Sequence, residues 1–210
     1  MILFAVYENW DLLTIMFIYW CQSVIIGIFT FFKILDLKKF TTKNFYINNR
    51  PAIANKATKI STAFFFLFHY GFFHFGYFLF LVSAPFFKTN SQNTFTQFTI
   101  FLVVFIFFIN HLYSFFYNRE KNANKNVNIG KIMFFPYLRI IPMHLTIIFG
   151  AFFITQGLPQ VSLFLFLILK TFADMAMHII EHRDDLKEKV DLIINKNEYS
   201  PGEVISGKLD

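Results

Sequence analysis

The hydrophobic positions of this chain fall in long unbroken runs rather than in alternation. Five stretches, at about 12–32, 61–84, 98–117, 137–155 and 160–181, are almost free of charge. A helix needs roughly 20 mostly apolar residues to cross a hydrocarbon core about 30 Å thick. Only helices and closed barrels satisfy their own backbones in lipid, and runs without a period of two predict helices. The fourth run is short and starts around Pro136 and Pro142, where proline does little harm to a helix. The expected fold is an all-α integral membrane protein, a bundle of five transmembrane helices in one domain spanning residues 1–182. A charged tail, 183–210, follows; Leu186, Val190 and Ile193–Ile194 predict a short surface helix in it, ending at Ser200–Pro201–Gly202.

The polar segments between the runs add an orientation. Lys33, Lys38, Lys39, Lys43, Arg50, Lys56 and Lys59 follow the first run. Arg119, Lys121, Lys125, Lys131 and Arg139 lie between the third and fourth. The tail holds Arg183, Lys187, Lys189, Lys196 and Lys208, whereas the second loop has Lys88 alone and the fourth loop none. This alternation predicts an outside N-terminus and a cytoplasmic C-terminus in the cell (inner) membrane. The net charge of +6 is thereby a topology signal, and with no binding motif beside it a nucleic-acid partner is not expected. Glu8 and Asp11 before the first run, with no basic segment, make that run a span rather than a cleavable leader. Composition agrees: 56% of residues are hydrophobic and only 15% charged, against about 25% charged in soluble domains. One cysteine, Cys21, excludes a disulfide framework.

Against this background the histidines stand out. All six (His69, His74, His111, His144, His178 and His182) lie in or beside the apolar runs. An ionisable group at membrane depth needs a partner or a watery cavity, so each is a functional-site candidate. In the last run Lys170, Asp174, His178 and His182 step by four, and Glu181 follows Asp174 by seven. At about 100° per residue they share a stripe roughly 120° wide, expected to face other helices. Counting about 1.5 Å per residue from the cytoplasmic boundary puts His178 and His144 roughly 8 Å deep, His111 about 10 Å, and Asp174 and His69 about 13–15 Å. His74 lies deeper, roughly 140° around its helix from His69. Four runs thus deliver an imidazole or carboxylate to one layer.

That set, His69, His111, His144, Asp174 and His178, suits a divalent metal such as zinc or iron, with Lys170, Glu181 and His182 in supporting or relay roles. Two alternatives stay open. One is a metal-free proton or substrate path through Asp174, His178 and Lys170. The other has the histidines as hydrogen-bonding glue between helices. Smaller signals accompany them. Tyr19-Trp20, near mid-span, is expected inside the bundle, Gln22 and Ser23 are expected to face helices, and Gly71, Gly76 and Gly150 to allow close helix approach. Asn110 is a candidate to orient His111.

Several stretches taken together resemble a known family. They are Tyr19-Trp20…Gly27…Lys33, His69-Tyr70-Gly71-Phe72-Phe73-His74, Asn110-His111…Ser114-Phe115, Pro136-Tyr137…Arg139-Ile140…His144…Gly150 and Lys170-Thr171…Asp174…His178…Glu181-His182. They resemble a prokaryotic multi-pass membrane family labelled domain of unknown function 6498, over roughly residues 12–182. One departure is Gln22-Ser23, where an acidic residue followed by asparagine is expected. The resemblance implies a membrane domain and no activity. A looser analogy runs to zinc hydrolases of the adiponectin-receptor and ceramidase type, which have more spans and a different ligand order. The expected function is therefore an intramembrane His/Asp polar site near the cytoplasmic leaflet, with hydrolase or redox chemistry on a lipid-like substrate. The alternative is a non-enzymatic small transporter or an accessory partner of other membrane subunits, and whether the chain is an enzyme is left open.

Overall fold

The computed structural model describes residues 12–83, 94–124 and 127–198, with the side chains of 83, 94–96, 121–124, 151, 154, 159 and 180–198 excepted. The described residues are mostly helical, with four two-residue strands and short turns between the elements. Helix α1 covers Leu12–Asp36, α2 Lys56–Ser83 and α3 Thr94–Asn124. The fourth crossing is composite: α4 (Ile129–Phe134), a 3-10 helix (Phe135–Arg139) and α5 (Ile140–Thr155). Helix α6 runs from Pro159 to Glu198. Five segments are long and apolar enough to cross a membrane: Leu12–Asp36, Lys56–Val82, Gln97–Glu120, Ile129–Gly150 and Gln160–Ile179. All five expected spans are thus present as helices.

The boundaries differ where capping decides them. The fourth span starts at Ile129, eight residues before the expected 137, because Asn128 caps it. The Asn128 side chain accepts from the amides of Gly130 (2.9 Å) and Lys131 (3.3 Å), satisfying orphan donors of the first turn. Pro136 then sits at the start of the 3-10 turn, as expected for a residue with no amide to lose. Arg139, counted above as a loop residue, is therefore carried inside the span and is buried. At the far end Gly157 takes φ +75°, and the Leu158 amide donates to the Phe153 carbonyl (2.9 Å). That is a Schellman-type stop, and Pro159 opens the next helix. Helix α6 continues without a break to Glu198 instead of restarting as a short tail helix; Ser200–Gly202 lies outside the described residues.

The first loop carries structure that apolar patterning does not reveal. Strands β2 (Tyr46–Ile47) and β3 (Arg50–Pro51) pair antiparallel across Asn48 and Asn49, with φ of 50° and 60°. A two-residue hairpin needs positive φ at both central positions, and asparagine tolerates it. Strand β1 (Phe40–Thr41) pairs parallel with β4 (Val127–Asn128), tying this loop to the start of α4. Gly130 is required there, since a Cβ would lie 2.9 Å from the Phe45 ring.

Two compact units divide the chain, Met1–Ala173 and Asp174–Asp210. In the first, α1 is the central helix and packs on α2, α3, α4 and the 3-10 turn. It supplies much of the core, with Ile15, Met16, Ile18, Tyr19 and Ile34 fully covered. Tyr19 and Ser23 are buried as expected, and so is Gln22. At the ends, Lys59 Nζ donates to the Leu37 carbonyl (2.9 Å), and Arg119 forms a two-point ion pair with Asp36 (2.7 and 3.2 Å). The second unit is described only as its share of α6.

Candidate functional site

The buried face of α2 reads Thr62, Phe66, Tyr70, His74, Tyr77 and Leu81, steps of three and four that put one stripe against its neighbours. Tyr70 is its anchor. The phenol lies 2.7 Å from Ser23 Oγ of α1 and donates to the Ser23 carbonyl at 3.1 Å. Gly27, one turn further along α1, makes room for the ring. The His74 ring lies tilted against Tyr70 with centroids 4.2 Å apart, and its Nδ1–H donates to the Tyr70 carbonyl at 2.9 Å. Trp20 Nε1–H reaches the His74 carbonyl (2.8 Å), a second polar tie between α1 and α2.

The same helix is bonded to the fourth span by two histidine–tyrosine pairs with the roles exchanged. His69 Nδ1 of α2 lies 2.8 Å from the Tyr137 hydroxyl of the 3-10 turn. Eight residues along α2, the Tyr77 hydroxyl lies 3.2 Å from His144 Nδ1 of α5. The pairs occur in the same order along both segments, so α2 and the fourth span run parallel. Tyr137 is wedged among aromatic rings, 5.5 Å from Tyr70, 5.6 Å from His69 and 6.0 Å from Phe66 between centroids. Beside it Arg139 is buried with its guanidinium 5.0 Å from the centre of the Tyr19 ring, a cation–π contact in a water-poor setting. Tyr19 meets Phe166 of α6 edge-on at 5.4 Å.

The proposed ligand set is distributed as follows. His69 and His144 share the α2–fourth-span seam, although both side chains are largely exposed at its edge. His111 is half-buried on α3, stacked on Phe107 at 4.1 Å and near Phe29 of α1; its Nδ1–H donates to the Phe107 carbonyl at 3.1 Å. A ring nitrogen facing a carbonyl must carry the proton, so in neutral His111 the lone pair is on Nε2. Asn110 does not orient this ring, since the Phe107 carbonyl does. Lys170 is half-buried and belongs to the first unit, while Asp174, half-buried, and His178, exposed, belong to the second. Glu181 and His182 are helical, and their side chains lie outside the described residues. Among the described residues no three His, Cys, Asp or Glu side chains gather as a metal site.

The model of a family of unknown function, DUF6498, matches residues 1–191. The chain belongs to this family. The match extends past the resemblance read over residues 12–182 and includes every residue of the seam. No curated protein and no solved structure matches the DUF6498 chain.

Several seam residues were not singled out by depth and spacing among histidines alone. Tyr70, Tyr77 and Tyr137 are the main omissions, together with His74, set aside as facing away from His69, and Arg139, assigned to a loop. The signal was present for three of them. Tyr70, His74 and Tyr77 follow an i, i+4, i+7 pattern, which is one helix face. Of the three glycines expected at close contacts, only Gly150 is one, with the Ser162 hydroxyl donating to its carbonyl at 3.0 Å. A Cβ at Gly71 or Gly76 would meet nothing within 4 Å, because both lie on the exposed side of α2.

Proposed function

We propose that this DUF6498 chain is a multi-pass protein of the cell (inner) membrane, N-terminus outside and C-terminus cytoplasmic. His69 and His144 work in it as interhelical hydrogen-bond partners. The activity that fits is non-enzymatic, a small transporter or an accessory membrane subunit. The observation that carries this reading is the reciprocal pair His69–Tyr137 and Tyr77–His144. Each pair uses a ring nitrogen on a phenol, which both donates and accepts and so suits either imidazole tautomer. Bonds of this kind are what polar side chains do between helices in lipid.

The competing reading keeps zinc or iron on some of His69, His111, His144, Asp174 and His178, acting on a lipid-like substrate. The Nδ1-protonated form of His111 favours it, since a histidine ligand characteristically donates its other N–H to a carbonyl or carboxylate. The two separate in one preparation. Elemental analysis of detergent-purified protein should find no stoichiometric metal, and Tyr77→Phe and Tyr137→Phe should each lower thermal stability by about 0.6–2 kcal/mol. Stoichiometric zinc or iron that His111→Ala abolishes would overturn the non-metal reading.

A further inference from the structure

Helix α3 carries a polar group where lipid should be. Asn110 lies ten residues before Glu120, the end of the span Gln97–Glu120, about 15 Å along the helix axis and so near the middle of a core about 30 Å thick. Its side chain is exposed, and it has no hydrogen-bond partner among the described residues. The packed side of α3 is elsewhere: Val104 joins the core, while His111 and Phe115 turn to Phe29 of α1. Ile106, Asn110, Tyr113 and Tyr117 share an arc roughly 60° wide on another face. The three apolar or aromatic members are 58%, 67% and 74% exposed, and the two tyrosine rings stack at 5.7 Å. A primary amide facing acyl chains leaves two donors and an acceptor unsatisfied, which hydrocarbon cannot remedy.

We propose that this stripe is a dimer interface and that its occupant is the same stripe of a second copy, with Asn110 meeting Asn110. Two copies inserted in one orientation bring this residue to one depth, beside a two-fold axis along the membrane normal. An amide is self-complementary, each donating to the other's carbonyl, as an isologous contact requires. The four stripe residues carry no formal charge, so no oppositely charged partner is called for. At the end of the helix the Arg119 guanidinium is already paired with Asp36 of its own chain. Asparagine bonding across helices is an established source of association in bilayers, reinforced here by Ile106 and the tyrosine faces. The inference is independent of the function proposed above.

The test uses the full chain in native membranes and in nanodiscs. In a Cys21→Ala background, oxidative crosslinking should give disulfide-linked dimers for Ile106→Cys and Asn110→Cys. It should give none for Phe72→Cys on α2, a site more exposed (73%) than Ile106 (58%). Without engineered cysteines, Asn110→Leu should weaken self-association by about 3- to 30-fold, the range expected for one interhelical polar bond. A monomeric mass in nanodiscs with no crosslink at Ile106 overturns the proposal. So does a dimer whose affinity Asn110→Leu leaves unchanged, or a different protein occupying the stripe in its place. Because the crosslinking arm retains Asn110 in the Ile106→Cys protein, a folding defect of Asn110→Leu does not shelter the idea.

Discussion

Gly27 is where adding a single methyl group should reveal how α1 and α2 are held together. A Cβ built there would lie 2.6 Å from Tyr70 Cε1 and 2.9 Å from Cδ1, closer than carbon atoms approach. The ring has little freedom to yield. Its hydroxyl is fixed at both Ser23 atoms, one face stacks on Phe66 at 4.9 Å, and His74 covers it at 4.2 Å. Overpacking in a filled core costs about 1–3 kcal/mol. Replacing a mid-helix glycine by alanine returns about 0.5–1 kcal/mol of backbone propensity. The expected net loss for Gly27→Ala is about 0–2.5 kcal/mol, or a melting point up to about 10 °C lower for a chain of this size. Gly71→Ala is the internal control, because its Cβ meets nothing within 4 Å and only the propensity gain remains. Thermal melts of detergent-purified variants, read by fluorescence-detected size exclusion, separate the two. In a Tyr70→Ala background the Gly27→Ala penalty should vanish, a coupling of about 1–3 kcal/mol between contacting sites. Equal melting points for Gly27→Ala and Gly71→Ala would refute the close α1–α2 packing described above.

Other positions test separate parts of the architecture. Asn128→Ala removes both cap bonds of α4 and the donation from Asn128 Nδ2 to the Lys43 carbonyl (2.7 Å), so stability should fall by about 1–2 kcal/mol in the same melt. Asp36→Asn opens an ion pair whose members are 28% and 52% exposed; the shift in melting point should be small and shrink further in high salt. Ser23→Ala deletes the hydroxyl facing Tyr70 but leaves the Ser23 carbonyl as acceptor, so its cost should be about 0.5–1.5 kcal/mol in the same melt.

Most of the fold was legible because lipid imposes one simple rule on length and polarity. Leu12–Asp36 and Gln97–Glu120 are each within a few residues of the expected run. The fourth span was the hardest to delimit, and for a physical reason. Its first turn reads Ile129-Gly130-Lys131, polar enough to pass for loop, and only the Asn128 cap marks it as helix. The same local chemistry hid the hairpin at Asn48-Asn49. An Asn-Asn pair carries a turn signal that hydropathy does not weigh.

The site was less legible because depth is only one of the two coordinates that decide whether side chains meet. Counting residues from a boundary gives height along a helix, and on that measure His69, His111 and His144 share a layer. It says nothing of azimuth relative to a neighbour, which depends on which face each helix buries. On α2 that face is set by Phe66, Tyr70, His74 and Tyr77, so His69 is left at its edge, within reach of Tyr137 but turned partly outward. On α3 it is set by contact with α1, so His111 faces Phe29 and satisfies itself on its own helix. Tyrosine bridges the gap that remains, because a phenol extends several ångströms beyond its helix and bonds in either direction. In a bundle rich in phenylalanine, then, the residues to search for beside an intramembrane histidine are tyrosines on the facing helix. Here that search pairs His69 with Tyr137 and His144 with Tyr77, before any ligand is considered.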